Sequence, residues 1–242
     1  MSTLPGTLFL IPVPLADGDV SVVLPATVIA QSRRLQHFVA ENAKTARAML
    51  KRLETPTPLR DIAITELNEH TAAKDVDALL APLLAGHDVG MMSEAGCPGV
   101  ADPGALLVAA AHRRGIRVTP LTGPSSLLLA LMASGLNGQK FAFHGYLPTK
   151  DDAREKTIKG LEKESRQQQM TQLFIETPYR NRQLLDALLR YCAPETRLCL
   201  ARDLTGPQEL ISSYRIDEWK KRLTNLGEAH GEKLPTVFLL LA

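Results

Sequence analysis

The chain has 242 residues, 45% of them hydrophobic, which is enough apolar material for one large core or two modest ones. Its 28 basic and 26 acidic side chains leave a formal charge of +2, too balanced to serve by itself as a nucleic-acid footprint. Three scattered cysteines, Cys97, Cys192 and Cys199, argue against a disulfide scaffold or a metal knuckle, and no apolar run approaches the roughly 20 residues that span a bilayer.

The opening MSTLPG has no basic segment leading into an apolar one, so a cytoplasmic protein without a membrane segment is expected. Short apolar runs then alternate with longer helical patterns, which indicates an α/β protein. A strand-like run at 7–13 is followed by a helical stretch from about Ser21 and a strand at 35–40. The spacing predicts a helix over 42–53, with Ala43, Ala46, Leu50 and Leu53 on one face and Lys44, Arg47 and Lys51 off it. The TPTP run at 55–58 stops it.

A weaker strand at 62–67 precedes a helix over 71–85 closed by Gly86, and then an apolar run at 88–92. Asp102, Pro103 and Gly104 open the next helix, which ends at Arg113, Arg114 and Gly115. A strand at 117–121 follows, and the pattern restarts with a helix over 125–134, a strand at 141–147 and a charged helix over 151–169. Strands at 172–176, 197–204 and 236–241, a helix over 180–191 and a short helix around 217–223 complete the chain. The division falls near 119–123, giving an N-terminal α/β domain over 1–120 and a C-terminal one over 121–242.

Two glycine-rich loops carry the candidate chemistry. The first, SEAGCPGVADPG at 93–104, lies between an apolar strand and a helix and holds three glycines, two prolines and two acids. Glycines let a ligand approach the main chain, and exposed amides of such a turn bind a carboxylate, while Glu94 suits a cationic or hydroxyl group. Asp102 reads as a helix cap with Pro103 at the first turn. The second loop, TGPSS at 122–126, again follows a strand, with Ser125 or Ser126 suited to capping. Both follow strand ends of the kind at which open α/β sheets place ligands.

Neither loop has the GxGxxG or GxxxxGK pattern, which removes support for hydride and phosphoryl transfer. GxSxG, HExxH and paired cysteine ligands are also missing, so a mechanism without a metal is expected.

Taken in order, GTLFLIPVPL at 6–15, VAENAKTARAML at 39–50, MSEAGCPGVADPG at 92–104, LTGPSSLLLALMASGL at 121–136, FAFHGYLPTK at 141–150, FIETPYR at 174–180 and LARDLT at 200–205 resemble the tetrapyrrole-methylase superfamily. The similarity is greatest to the branch that holds the bacterial small-subunit ribosomal RNA cytidine 2′-O-methyltransferases. The resemblance implies two α/β domains, a homodimer, and S-adenosylmethionine folded into the cleft between the domains. It assigns cofactor contacts to Leu15, Glu94, Cys97, Ser126 and Leu127, with later contacts at Thr177, Ala201 and Pro235, many of them through main-chain groups.

On the acceptor side the matching motifs offer Glu41, His144, Glu176 and Arg180 as catalytic candidates, with Tyr146 and Lys150 beside them. His144 has a structural alternative, and Tyr179 with Arg180 reads either as a stacking and phosphate pair or as a solvated helix start. The expected activity is methyl transfer to ribosomal RNA or a ribosomal subunit. The alternatives are a small-molecule acceptor of tetrapyrrole-like or other anionic character, and a noncatalytic S-adenosylmethionine-binding protein.

Two features depart from the ribosomal branch. PVPLADG at 12–18 stands for its PTPIGNL-like loop, and Asn42 stands where AEDTR-like helix starts carry an acid, which is expected to remove either a proton acceptor or an electrostatic partner. The chain also stops at Ala242, before the helical segment that branch commonly adds, so an RNA-binding accessory is expected to be absent.

Overall fold

A computed structural model describes residues 4–226 and 233–242. The chain divides into two compact units, Met1–Ser125 and Ser126–Ala242.

The first unit is a parallel five-stranded sheet of β1 (Thr7–Leu10), β2 (His37–Ala40), β3 (Ala63–Glu66), β4 (Val89–Met92) and β5 (Arg117–Pro120), in the order β3-β2-β4-β1-β5. Its helices are α1 (Ala26–Arg33), α2 (Ala43–Arg52), α3 (Ala81–Leu84) and α4 (Gly104–Arg113). Alternate residues of one strand face opposite ways, so Phe38 and Ala40 join Ala46, Met49 and Leu50 of α2 in one core, while Val39 joins Leu107, Ala110 and Ala111 of α4 in another. Cover on both faces explains why β4 reads as an unbroken apolar run, with all four residues buried.

All five strands being parallel, the segments that leave β1, β2, β4 and β5 emerge at one end of the sheet. That end holds both glycine-rich loops.

The second unit is a mixed sheet of β6 (Phe141–Tyr146), β7 (Thr171–Glu176), β8 (Arg197–Arg202), β9 (Leu210–Arg215) and β10 (Thr236–Leu241), in the order β6-β7-β10-β8-β9. Only β6 and β7 run parallel; β10 is antiparallel to both β7 and β8, and β9 to β8. α5 (Ser126–Ser134) lies against β8, β9 and β10, and α6 (Asp151–Gln168), α7 (Asn181–Tyr191) and α8 (Ile216–Leu226) complete the unit. Its core gathers Phe174, Phe238, Ile158, Leu184, Leu188 and Trp219. Phe174 and Phe238 stack at 6.0 Å, a pair worth about 1 kcal/mol beyond its buried area. The Trp219 indole N–H donates to the Leu198 carbonyl at 2.8 Å, so its burial leaves no donor unmet.

Three expectations are corrected. The helix over 71–85 is a 3-10 run at Ala73–Leu80 followed by the single α-turn of α3. Pro82 has no N–H to return to the preceding turn, so it suits the first turn of a new helix and not the interior of a continuous one. The stretch from Ser21 is a 3-10 turn at Val20–Val22 under the Asp19 cap, and α1 begins only after Pro25. β9 was not predicted: LISSYR has no period-2 alternation, and as an edge strand it is only half-buried. Among the described residues no helix is long and apolar enough to cross a membrane.

Candidate functional site

The glycine-rich loop after β4 is held from three sides. Val13, in the segment after β1, exchanges both backbone hydrogen bonds with Gly96, at 2.9 and 2.8 Å. Gly96 adopts φ +74°, a left-handed conformation that favours glycine. The Cys97 thiol donates to the Pro124 carbonyl at 3.5 Å, which ties in the loop after β5. The loop after β5 runs so close to the segment after β1 that a Cβ on Gly123 would lie 2.3 Å from Pro12 Cβ.

Asp102 is the loop's internal clamp. Its carboxylate accepts from the Gly99 amide at 2.8 Å and from the Gly104 amide at 2.7 Å, so it closes the turn and caps the start of α4 together. Burial raises its pKa, and the two amides oppose that rise.

Glu41, directly after β2, is the fourth tie. Its Oε2 accepts the Glu94 backbone N–H at 3.0 Å. Desolvation raises the Glu41 pKa, the Glu94 amide lowers it, and the charges of Asp102 and Glu94 add to the rise. Glu41, Glu94 and Asp102, with Asn68 and His70, line an open depression of about 680 Å³. Small-molecule sites occupy roughly 300–1,000 Å³, and an acidic lining suits a cationic ligand over a bare phosphate.

Asn42 has a local explanation. Its side-chain oxygen accepts from Lys44 N at 2.8 Å and Thr45 N at 3.4 Å, capping α2. An aspartate would make the same bonds, so the change keeps the cap.

Leu15, Glu94 and Cys97 therefore come together within the first unit, with Leu15 Cδ2 3.5 Å from a Cβ built on Gly96. Ser126 and Leu127 open α5 and are half-buried. The candidates of the second unit gather at one end of its sheet: Glu176 faces Thr236 across the β7–β10 pair, Thr177 follows, and Pro235 precedes β10, its carbonyl accepting from Asp203 N at 2.9 Å. Ala201 is 1% exposed and paired with Val237 and Ile211 on its two sides. Its side chain is part of the sheet's interior.

Glu176, its side chain 2% exposed, accepts three bonds on Oε1: from Thr177 N at 2.7 Å, Arg180 Nε at 2.9 Å and Arg180 Nη2 at 2.7 Å. The bonds that Arg180 donates to Glu176 favour its charged form, holding its pKa above the ordinary arginine value. Tyr146, which pairs with Ile175, is the exposed end of β6. His144 does not join this group. Its Nε2 meets Gln172 Oε1, four residues before Glu176 on β7 and thus about 13 Å down the strand. Lys150 is an exposed residue at the start of α6.

Sequence reasoning did not find the clamp at Asp102 as a loop-closing group, nor Gln172. Among the described residues no group of three or more His, Cys, Asp or Glu side chains converges as a metal site.

Comparison with known proteins places this geometry. The family of Tetrapyrrole (Corrin/Porphyrin) Methylases matches residues 15–219. A "Ribosomal RNA small subunit methyltransferase I" of Xylella fastidiosa is 35% identical over 226 residues, 93% of this chain and 78% of that protein. One of the same description from Synechocystis is 32% identical over 84% of this chain and 69% of its own length. Among solved structures, the methyltransferase CobJ matches with a TM-score of 0.61 at 18% identity, over 98% of this chain and 94% of that one. A uroporphyrin-III-C-methyltransferase from Thermus thermophilus matches with a TM-score of 0.54 at 19% identity, over 98% and 92%. At those identities the structural matches speak for the fold.

Proposed function

The chain belongs to the tetrapyrrole (corrin/porphyrin) methylase family and is a methyltransferase, and from that premise we propose that it moves the methyl group of S-adenosylmethionine to a ribose 2′-hydroxyl of ribosomal RNA. The observation that carries the donor half is the interlocked set of loops after β1, β4 and β5, tied through Val13, Gly96, Cys97 and Pro124 beside an acidic depression. The acceptor half rests on relatives over 30% identical whose descriptions name small-subunit ribosomal RNA.

Bound in such a site, S-adenosylmethionine supplies a methyl group on a positive sulfonium, which an in-line oxygen nucleophile displaces. Leu15, Glu94 and Cys97 in the first unit hold the donor, the acids favouring its positive charge; Ser126, Leu127, Thr177 and Pro235 are the contacts offered by the second unit, whereas Ala201 is enclosed within its sheet. Glu41 has two tasks. Oε2 holds the Glu94 amide, and Oε1, which has no partner among the described residues, accepts the proton that the hydroxyl loses. Burial makes this carboxylate a stronger base than an exposed one. Glu176 fixes Arg180, and His144 is held by Gln172 as part of the sheet. The working form is a homodimer in the cytoplasm.

The test is transfer of label from methyl-labelled S-adenosylmethionine to unmodified small ribosomal subunits by the purified protein. Label on a ribose of the RNA is the expected result. Unlabelled RNA from a protein that binds the donor calorimetrically would overturn the acceptor, and label in a small-molecule extract would point to a tetrapyrrole-like one.

A further inference from the structure

The basic surplus of the chain is not spread evenly. The second unit has 17 Lys and Arg against 14 Asp and Glu, whereas the first has 11 against 12. The depression in the first unit is lined by carboxylates, which repel a phosphodiester. An RNA acceptor needs its anchoring contacts elsewhere.

One place in the second unit combines exposed aromatic surface with positioned cations. The β6–β7 register shifts between Phe143 and Tyr146, with Gly145 at φ +63°, and this bulge leaves Tyr146 59% exposed at the end of the strand. Tyr179 is 76% exposed in the 3-10 turn Pro178–Arg180, which the Arg180 N–H closes onto the Thr177 carbonyl at 2.8 Å. Lys233 Nζ lies 5.1 Å from the Tyr179 ring centroid. Arg180 is pinned through Nε and Nη2 to the buried Glu176, leaving its Nη1 without a partner among the described residues. An ordered guanidinium with a free arm loses less entropy on meeting a phosphate than a free one does.

We propose that Tyr179, Arg180 and Lys233 form a subsite for a single-stranded stretch of the RNA acceptor. A base stacks on the Tyr179 face away from Lys233, and Arg180 and Lys233 hold the flanking phosphates. Tyr146 extends the stacking surface. This subsite rests on the reading of RNA as the acceptor. An exposed tyrosine flanked by two cations matches nucleic acid, which presents a π-face and a phosphate at every residue.

The test compares binding of a short fluorescent single-stranded RNA to the full chain by anisotropy over a salt series, alongside methyl transfer to unmodified subunits and affinity for S-adenosylmethionine. Tyr179→Ala is expected to weaken RNA binding on the order of tenfold and Tyr179→Phe to restore it, because stacking needs the ring and not the hydroxyl. Lys233→Ala is expected to lower the slope of log affinity against log salt by about one. Both exposed-site variants should keep their affinity for S-adenosylmethionine. Arg180→Ala also strips Glu176 of its partner, so the Lys233 variant carries the charge argument. If the parent methylates subunits and Tyr179→Ala and Lys233→Ala bind RNA as it does, the subsite is wrong and the RNA reading stands. If the parent neither binds nor methylates RNA, both fall.

Discussion

The backbone N–H of Glu94 donates to Glu41 Oε2 at 3.0 Å, joining two residues 53 positions apart at the ends of adjacent parallel strands. The bond separates two roles of one carboxylate. A glutamine keeps an oxygen acceptor for the Glu94 amide but cannot accept a proton. Glu41→Gln is therefore expected to bind S-adenosylmethionine within about twofold of the parent while kcat falls about 100-fold, within the usual span of general-base contributions. Glu41→Ala should lose donor affinity as well, by about 1 kcal/mol for the missing bond. The sign with pH follows from burial, which raises the Glu41 pKa. The base is active only when ionised, so kcat falls as pH drops through a value above the ordinary carboxylate range. A kcat profile against pH checks this, and Glu41→Gln should lack that limb. Full kcat in Glu41→Gln would leave only the positioning role.

Asn42 caps α2, so its substitutions should act on stability ahead of chemistry. Asn42→Ala is expected to cost about 1 kcal/mol in denaturant unfolding, and Asn42→Asp to be near neutral, since either side-chain oxygen accepts the Lys44 and Thr45 amides. Methyl transfer by Asn42→Asp should match the parent. A tenfold gain in kcat would show that an acid at this position moves a proton and does more than cap.

The parallel unit was the more legible half of the sequence because its inner strands β2 and β4, largely buried, announce themselves as apolar runs bounded by caps, whereas the exposed edge strands β3 and β5 read more weakly. Asn42 before α2 and Gly115 after α4 are local signals, and both stand where expected, Gly115 at φ +66°. What the sequence hid is non-local. Nothing near residue 240 states that β10 inserts antiparallel between β7 and β8, and β9 lacks alternation because an edge strand buries only part of each face. The same holds for the sites. Glycines marked the loops, whereas the bonds of Glu41 to Glu94 and of His144 to Gln172 depend on strand neighbours 53 and 28 residues away.

Gly123 and Gly160 should respond to alanine in opposite directions. A Cβ at Gly123 would meet Pro12 Cβ at 2.3 Å and Pro12 Cγ at 2.7 Å, in a proline-containing loop that yields little. Gly123→Ala is expected to cost about 1–3 kcal/mol and to weaken donor binding, because the segments after β1 and β5 must separate. Gly160 lies inside α6 with nothing within 4 Å of a built Cβ. Gly160→Ala should stabilise by about 0.5–1 kcal/mol through helix propensity alone, with activity unchanged. Denaturant midpoints of the two variants, set beside calorimetric donor affinities, check both signs.

The three cysteines should separate by reactivity, and that separation reports on the donor loop. Cys192 and Cys199 are buried, and burial pushes each thiol up to about 12, with the Glu162 charge adding at Cys192 and a Ser213 hydrogen bond opposing at Cys199. A thiol must ionise to attack, so both are expected to be inert in the native protein. Cys97 is half-exposed and sits in the loop after β4, its thiol donating to Pro124; burial raises its pKa too, so its modification should be slow but measurable. Iodoacetamide at mildly alkaline pH, followed by mass spectrometry, should label Cys97 alone. S-adenosylmethionine should slow that labelling if the loop holds the donor, and the alkylated protein should bind the donor more weakly, because the added group breaks the Cys97–Pro124 tie. Labelling of Cys97 at an unchanged rate with saturating donor would remove it from the donor site, while protection with unaltered Cys192 and Cys199 would tie the loop geometry directly to binding.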